Sequence, residues 1–369
     1  MDINALIAQE LSVKKSQIDA AVQLLDEGNT IPFIARYRKE VTGGLDDDAL
    51  RVLGERLEYL RGLEDRKQTV LSTIEAAGAL TDELRRKIDI AQTLAEVEDI
   101  YRPYKPKRRT RATIAKEKGL EPLALTIKAQ ELSTPLLDEA AKYVDPENDV
   151  HVPEDAINGA CDIIAEEVSD NADYRSYIRE KTKKEGLIVS TQKKENAPSV
   201  YEMYYDYSEK LTTVPGHRVL AMNRGEKEDF LTVKITAPEE DIVRYLEKQL
   251  VTKDNPNTTP ALKNAASDAY DRLIAPSIER EIRSDLTEMA EDGAIKVFAA
   301  NLRQLLLAPP ITGKTVLGWD PGYVHGCKLA VCDPTGKILT TDMVFPFKPK
   351  NDTEGTKKKV LALIDKYSI

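Results

Sequence analysis

Apolar residues recur at helical spacing through most of the first three hundred residues. Between residues 45 and 77, Leu50, Leu53, Leu57 and Leu60 follow one another at intervals of three or four. This interval places the four leucines on one face of a helix, where they can be buried together. The pattern therefore predicts a long amphipathic helix that begins at the acidic cap region Leu45–Asp48 and ends near Ala77.

A second and longer helical pattern extends from Leu262 to Leu307. Pro276 is expected to bend this helix, and Pro309 and Pro310 are expected to end it. At the rise of an α-helix, its length would be roughly 65–70 Å. Six of its apolar residues lie at strict four-residue spacing, and these are Tyr270, Ile274, Ile278, Ile282, Leu286 and Ala290.

The pattern changes after the two prolines. Three short apolar runs, "KTVLGWD", "CKLAVCD" and "KILTTDMVF", predict three strands, and "DPTG" between the second and third predicts a type I turn. Val360, Leu363 and Ile364 then follow helical spacing. This order of strands and helix predicts the first part of an α/β domain.

Together these patterns predict a mainly α protein, with irregular helical domains on a long central helix and a partial α/β domain. Residues 1–200 are expected to form an N-terminal helical domain with helix-turn-helix-like units. Residues 201–310 are expected to form a helical region that contains the long helix. Residues 311–369 are expected to hold the three strands and the final helix.

Composition places the chain among globular proteins of a reducing compartment. Of its 369 residues, 41% are hydrophobic and 31% are charged. The sequence contains no run of eighteen consecutive apolar residues, so no membrane span is predicted. The N-terminus lacks a basic-then-apolar signal pattern, so we expect a cytoplasmic protein. The three cysteines are expected to pack rather than to bind zinc, and no motif indicates a cofactor.

The charge distribution indicates a candidate binding segment. The net charge is −10, yet residues 102–118, "RPYKPKRRTRATIAKEK", contain eight basic residues and one acid. Prolines and tyrosines interrupt the basic residues, a composition that suits contact with a single-stranded nucleic acid. The alternative interpretation is a loop whose cations pair with acids of the same protein. The candidate contact residues are Lys105, Lys107, Arg108, Arg109 and Arg111.

A smaller basic group lies upstream in "IPFIARYRKEVTGG". Arg36, Arg38 and Lys39 could extend the binding surface, but ion pairs with neighbouring helices are their expected role.

Asp320, at the end of the first predicted strand, is the candidate catalytic carboxylate. A metal-dependent nuclease needs several carboxylates to hold two divalent ions. Of the nearby acids, Asp333 is expected to cap a turn, and Asp342 and Asp352 lie on or beyond the third strand. No nucleophile–base pair or phosphate loop accompanies them. The chain is therefore expected not to be an enzyme and to hold no metal.

Several long motifs give the chain a resemblance to a known family. The stretches "GNTIPFIARYRKEVTGGLDD", "IYRPYKPKRRTRATIAKEKGLEPLA", "GHRVLAMNRGE", "NLRQLLLAPP" and "VLGWDPGYVHGCKLAVCDPTGKIL" occur in order along the sequence. They resemble the Tex family of bacterial transcription accessory proteins. The resemblance covers essentially the whole chain.

The resemblance implies both a fold and a function. It implies an N-terminal fragment of a longer protein, which ends inside a YqgF-type, ribonuclease H-like domain, with Asp320 as a remnant nuclease-like carboxylate. It also implies a non-catalytic, sequence-independent scaffold that binds nucleic acid, RNA in preference to DNA, and acts with the transcription machinery. Two alternatives stay open, namely a metal-dependent nuclease centred on Asp320 and a scaffold that contacts only proteins.

Overall fold

The computed structural model confirms a mainly α protein with small sheets. It describes residues 2–106, 109–193, 199–309 and 311–369. The chain divides into two compact units, the first ending at Glu291 and the second covering Asp292–Ile369.

Six helices build the N-terminal part of the first unit. They are α1 (Ile3–Glu10), α2 (Lys15–Asp26), α3 (Ile31–Tyr37), α4 (Asp47–Ala76), α5 (Asp82–Ile90) and α6 (Leu94–Tyr101). The Asp46 side chain accepts a hydrogen bond from the Ala49 N–H at 2.8 Å and so caps α4. The four leucines of the predicted stripe are buried in α4, where they pack with residues of α1 to α3, including Ile34.

Nine more helices follow up to the end of the long helix. They are α7 (Arg111–Glu117), α8 (Glu121–Ala129), α9 (Leu136–Ala140), α10 (Pro153–Ser169), α11 (Ala172–Glu185), α12 (Gly216–Lys227), α13 (Glu239–Leu250), α14 (Thr259–Asp268) and α15 (Ala275–Leu306).

The first unit also contains a three-stranded antiparallel sheet. Its strands are β1 (Leu187–Gln192), β2 (Asp206–Lys210) and β3 (Leu231–Thr236), in the order β2–β1–β3. Leu187 pairs with Lys210 on one side and with Thr236 on the other. Residues 201–310 therefore contain two strands in addition to the expected helices. The sheet also joins residues on both sides of position 200, so one hydrophobic core extends from α7 to α15.

The long predicted helix has one irregular turn. A π-helical segment, Ala269–Ile274, joins α14 to α15 directly before Pro276. A proline ring would collide with the carbonyl four residues earlier in a regular helix, and a wider turn avoids this contact. All six residues of the four-residue stripe are buried.

The second unit contains the sheet expected near the end of the sequence. Strands β4 (Val316–Asp320), β5 (Cys327–Cys332) and β6 (Ile338–Val344) pair in the antiparallel order β4–β5–β6, and α16 (Thr353–Tyr367) follows. Cys327, Leu329 and Val344 form a small core with residues of α16.

No helix in the described parts of the chain is long and apolar enough to cross a membrane.

Candidate nucleic-acid interface

The basic segment connects α6 to α7. After α6, Arg102–Tyr104 form a single 3₁₀ turn, and Pro106 follows in irregular backbone. The next helix begins where the Thr110 hydroxyl accepts a hydrogen bond from the Thr113 N–H at 3.0 Å. The described part of this segment is thus a surface connection between two capped helices, as the prolines predicted.

Two of the five candidate cations contact acids of the same chain. Nζ of Lys105 lies 3.7 Å from a Glu98 carboxylate oxygen, and Arg109 donates two hydrogen bonds to Glu117, the shorter at 2.7 Å. The Lys105 and Arg109 side chains are nevertheless 57% and 69% exposed. Ion pairs this exposed contribute about 0–1 kcal/mol, so a phosphate can replace the carboxylate at little loss.

Of the other three candidates, the structure describes Arg111. Arg111 is exposed at the first position of α7, and its side chain makes no hydrogen bond or salt bridge with a described residue. Its positive charge opposes the rise that burial causes in the pKa of Asp162. A cation at a helix N-terminus does not stabilise that helix, so helix stability does not account for Arg111. Tyr104 exposes part of its ring nearby in sequence. Lys107 and Arg108 lie outside the described residues.

A buried cluster of charges fixes α6, which leads into the basic segment. The Asp99 carboxylate accepts hydrogen bonds from Arg175 and Arg179, both at 2.5 Å. Arg179 also contacts Glu281 on α15. Asp99, Arg175 and Arg179 are each less than one-tenth exposed, so these bonds connect α6, α11 and α15 within the protein interior.

Arg102 belongs to this cluster rather than to the exposed segment. Its side chain lies 3.4 Å from Asp170, and burial together with the positive charge of Arg175 lowers the pKa of its guanidinium. The first cation of the basic run therefore has a structural position, whereas the exposed candidates begin at Lys105.

Asp320 lies at the end of β4, as the sequence predicted. Asp320 pairs across the sheet with Lys328, and its side chain is exposed. Alternate residues of a strand face opposite sides of the sheet, and Leu317 and Leu329 face α16. Asp320 therefore lies on the opposite, uncovered face.

Two other acids of this unit, Asp333 and Asp342, are engaged by other side chains. The Asp333 side chain accepts hydrogen bonds from the Thr335 hydroxyl and backbone, and the hydroxyl is the main reason why the pKa of Asp333 is lowered. Asp342 pairs with Lys359 of α16 at 2.8 Å, on the covered face. Within the described ranges, no group of three or more potential ligands could hold a metal ion.

Family comparisons divide the chain into three consecutive matches. Residues 1–75 match a family described as "Tex-like protein N-terminal domain", and residues 133–298 match "Tex central region-like". Residues 314–369 match "Tex protein YqgF-like domain".

Similar proteins cover almost the whole chain. "Protein tex" of Bordetella pertussis is 43% identical over 100% of this chain and 48% of its own length. "Transcriptional accessory protein Tex" of Neisseria gonorrhoeae is 40% identical over 95% of this chain and 47% of its own length. The chain belongs to the Tex family.

The Tex-family match extends to a human protein. "S1 RNA-binding domain-containing protein 1" of Homo sapiens is 31% identical over 98% of this chain and 38% of its own length. This chain spans about half the length of the two bacterial relatives.

The structure of this Tex-family chain places a second group of cations at the surface, at the end of α3. Arg36, Arg38 and Lys39 are exposed, and none of them forms an ion pair with a described residue. The expected pairing with neighbouring helices is therefore not observed. The signal in the sequence was an aromatic–basic alternation, "FIARYRK", of the same kind as in the Tyr101–Arg111 stretch.

Proposed function

We propose that this Tex-family chain binds nucleic acid as an accessory scaffold of transcription in the cytoplasm. The proposal includes contact with single strands without sequence preference, RNA in preference to DNA, and no catalysis by this chain. The observation that carries it is the exposure of Tyr104, Lys105, Arg109 and Arg111. Lys105 and Arg109 are held only by surface ion pairs. The names of the relatives, transcription accessory and S1 RNA-binding, support the same function.

The chemistry of the stretch suits a nucleic-acid backbone. Lysine and arginine contact phosphates, and an exposed tyrosine provides a surface on which any base can stack. Neither interaction reads base edges, which supports binding without sequence preference. Because the whole chain carries a charge of −10, attraction to a polyanion is confined to such local surfaces.

The proposed absence of catalysis is supported by the contacts that occupy two other candidate acids of this unit. Two-metal hydrolysis needs carboxylates around a shared position, whereas Asp333 and Asp342 are engaged with Thr335 and Lys359.

Fluorescence anisotropy tests the binding proposal. Labelled single- and double-stranded RNA and DNA are titrated with the chain at about 50 mM and about 200 mM salt. Single-stranded RNA is expected to bind most tightly, to weaken steeply with salt, and to lose about tenfold or more in affinity on Arg109→Gln with Arg111→Gln, as expected for two lost phosphate contacts. Arg51→Gln with Arg85→Gln is the matched control, since both arginines are exposed and lie in α4 and α5.

A scaffold that contacts only proteins is the second candidate, and the Lys105–Glu98 and Arg109–Glu117 ion pairs favour it. It predicts that Arg109→Glu lowers thermal stability and leaves RNA affinity unchanged. The binding proposal predicts the reverse, because an exposed ion pair contributes little to folding.

A further inference from the structure

The end of α3 carries a group of exposed cations and two aromatic rings, of which Tyr37 is exposed and Phe33 is half-buried. This group is here named the α3 patch. It consists of Phe33, Arg36, Tyr37, Arg38 and Lys39. The Phe33 and Tyr37 rings lie 5.3 Å apart, and the Arg38 guanidinium lies 5.2 Å from the centre of the Phe33 ring. Tyr37 is 61% exposed, so one of its faces is available to a ligand.

The cations of the α3 patch differ from most other cations of the same helical region, although Arg86 also has no ion pair with a described residue. Arg56 forms an ion pair with Glu10, and Arg61 with Asp26, both at 2.7 Å. By contrast, the three cations of the patch have no acidic partner among the residues that the structure describes. In an acidic chain, where partners are plentiful, three unpaired cations within four positions indicate an external anion.

Stabilisation of α3 accounts for only part of this arrangement. Cations near a helix C-terminus interact favourably with its dipole, and Arg38 donates a hydrogen bond to the Tyr37 carbonyl at 3.1 Å. This contact explains Arg38. Arg36 lies in the last turn of α3, where the helix dipole also favours a cation. Neither effect requires Lys39, which lies beyond the helix, or the exposed ring of Tyr37.

The backbone that carries the patch is held in place. Thr42 is fully buried, and its hydroxyl donates a hydrogen bond to the Lys39 carbonyl at 3.2 Å. Gln17 of α2 donates one to the Gly43 carbonyl at 2.8 Å. Gly43 has φ +63°, a conformation that favours glycine. A surface fixed in this way loses little conformational entropy when it binds a ligand.

We infer that the α3 patch is a second contact surface for single-stranded RNA, separate in sequence from the Tyr104–Arg111 stretch. Arg36, Arg38 and Lys39 contact two or three consecutive phosphates, and a base stacks on Tyr37. The exposed ring favours a nucleic acid over an acidic peptide, which offers carboxylates but no planar base. The inference rests on the proposed function and adds the place of contact.

The test is anisotropy of a short, unstructured labelled RNA with the 369-residue chain. The variants are Arg36→Gln with Arg38→Gln and Lys39→Gln, and separately Tyr37→Leu. The matched control is Arg51→Gln with Arg85→Gln and Arg244→Gln, which removes the same charge from exposed sites in α4, α5 and α13.

The triple variant is expected to bind about tenfold or more weakly at low salt. Its plot of log affinity against log salt should be shallower by about 1.4 to 2.1, at roughly 0.7 for each of two or three lost phosphate contacts. Tyr37→Leu should weaken binding at least about fivefold and leave the salt dependence unchanged, because stacking involves no counterion release. The control should stay within about twofold of the unmodified chain, since its cations lie outside the patch.

Four outcomes overturn the inference in distinguishable ways. Equal weakening in the triple variant and the control shows a general charge effect, and the proposed function stands. If RNA affinity falls only in the Arg109→Gln with Arg111→Gln variant, the proposed function also stands, and the RNA contacts only the Tyr104–Arg111 stretch. No binding by the unmodified chain at low salt rejects both. A labelled oligoglutamate that binds as tightly as RNA, without dependence on Tyr37, indicates an acidic protein partner instead.

Discussion

At the scale of single residues, the cations of this chain differ in whether an acid lies within reach. Arg175 and Arg179 are buried with Asp99, whereas Arg109 pairs with Glu117 at the surface. Arg36 and Lys39 have no acidic partner in the described part of the chain. The same residue type therefore serves folding in one place and is available for a ligand in another.

The buried cluster gives the sharpest prediction for stability. Asp99→Asn keeps the size of the side chain but removes the charge that faces Arg175 and Arg179. Breaking a buried ion pair in this way costs about 3–5 kcal/mol, because the remaining charges lose compensation in a dry environment. Urea unfolding followed by circular dichroism measures the change in the free energy of unfolding.

The matched control is Asp26→Asn, whose ion pair with Arg61 is about half exposed on both sides. Asp26→Asn should lower the free energy of unfolding by less than about 1 kcal/mol. A similar small loss for Asp99→Asn would mean that the cluster does not hold α6 to α11.

The sequence placed Asp320 correctly at a strand end, because Pro321 and Gly322 terminate β4. It could not show which acids would lie beside it. That depends on which face of the sheet each residue occupies, and a single step along a strand reverses the face. Asp342 lies on the other face and pairs with Lys359, a residue seventeen positions away.

At the scale of elements, helices with a strong apolar stripe were predictable and strands with distant partners were not. The predicted ends of α4 lie within a few residues of the observed ones, because a helix cap and an apolar stripe are formed by residues close together in the sequence. The β1–β2–β3 sheet pairs segments that are separated by loops and by α12, so its register is set by tertiary contacts. The π-helical turn before Pro276 likewise depends on keeping Tyr270 and Ile278 buried on one side.

Two glycines of α4 allow a matched test of its packing. A methyl group added at Gly62 would meet no atom within 4 Å, whereas at Gly54 it would lie 3.0 Å from Cδ1 of Ile31. Gly62→Ala is expected to stabilise the protein by about 0.5–1 kcal/mol, because alanine loses less backbone entropy in a helix.

Gly54→Ala should stabilise the protein less than Gly62→Ala does, or destabilise it, because Ile31 must move to make room for the methyl group. Thermal unfolding of the two variants side by side provides the measurement. Equal gains would contradict the close packing of α3 on α4, on which the position of the α3 patch depends.

At the scale of the whole molecule, an acidic chain confines polyanion binding to local surfaces. The chain carries a net charge of −10, while the Tyr104–Arg111 stretch and the α3 patch combine exposed cations with tyrosines. The chain covers about half the length of its bacterial Tex relatives.

Ultraviolet cross-linking of single-stranded RNA to the 369-residue chain, with mass spectrometry of the linked peptides, tests the central claim most directly. Stacked aromatic residues are close to bases, so we expect cross-links in the peptides that contain Tyr37 and Tyr104. The triple variant of the α3 patch should lose the first cross-link and keep the second. Cross-links confined to residues 314–369, or none at all, would contradict the account.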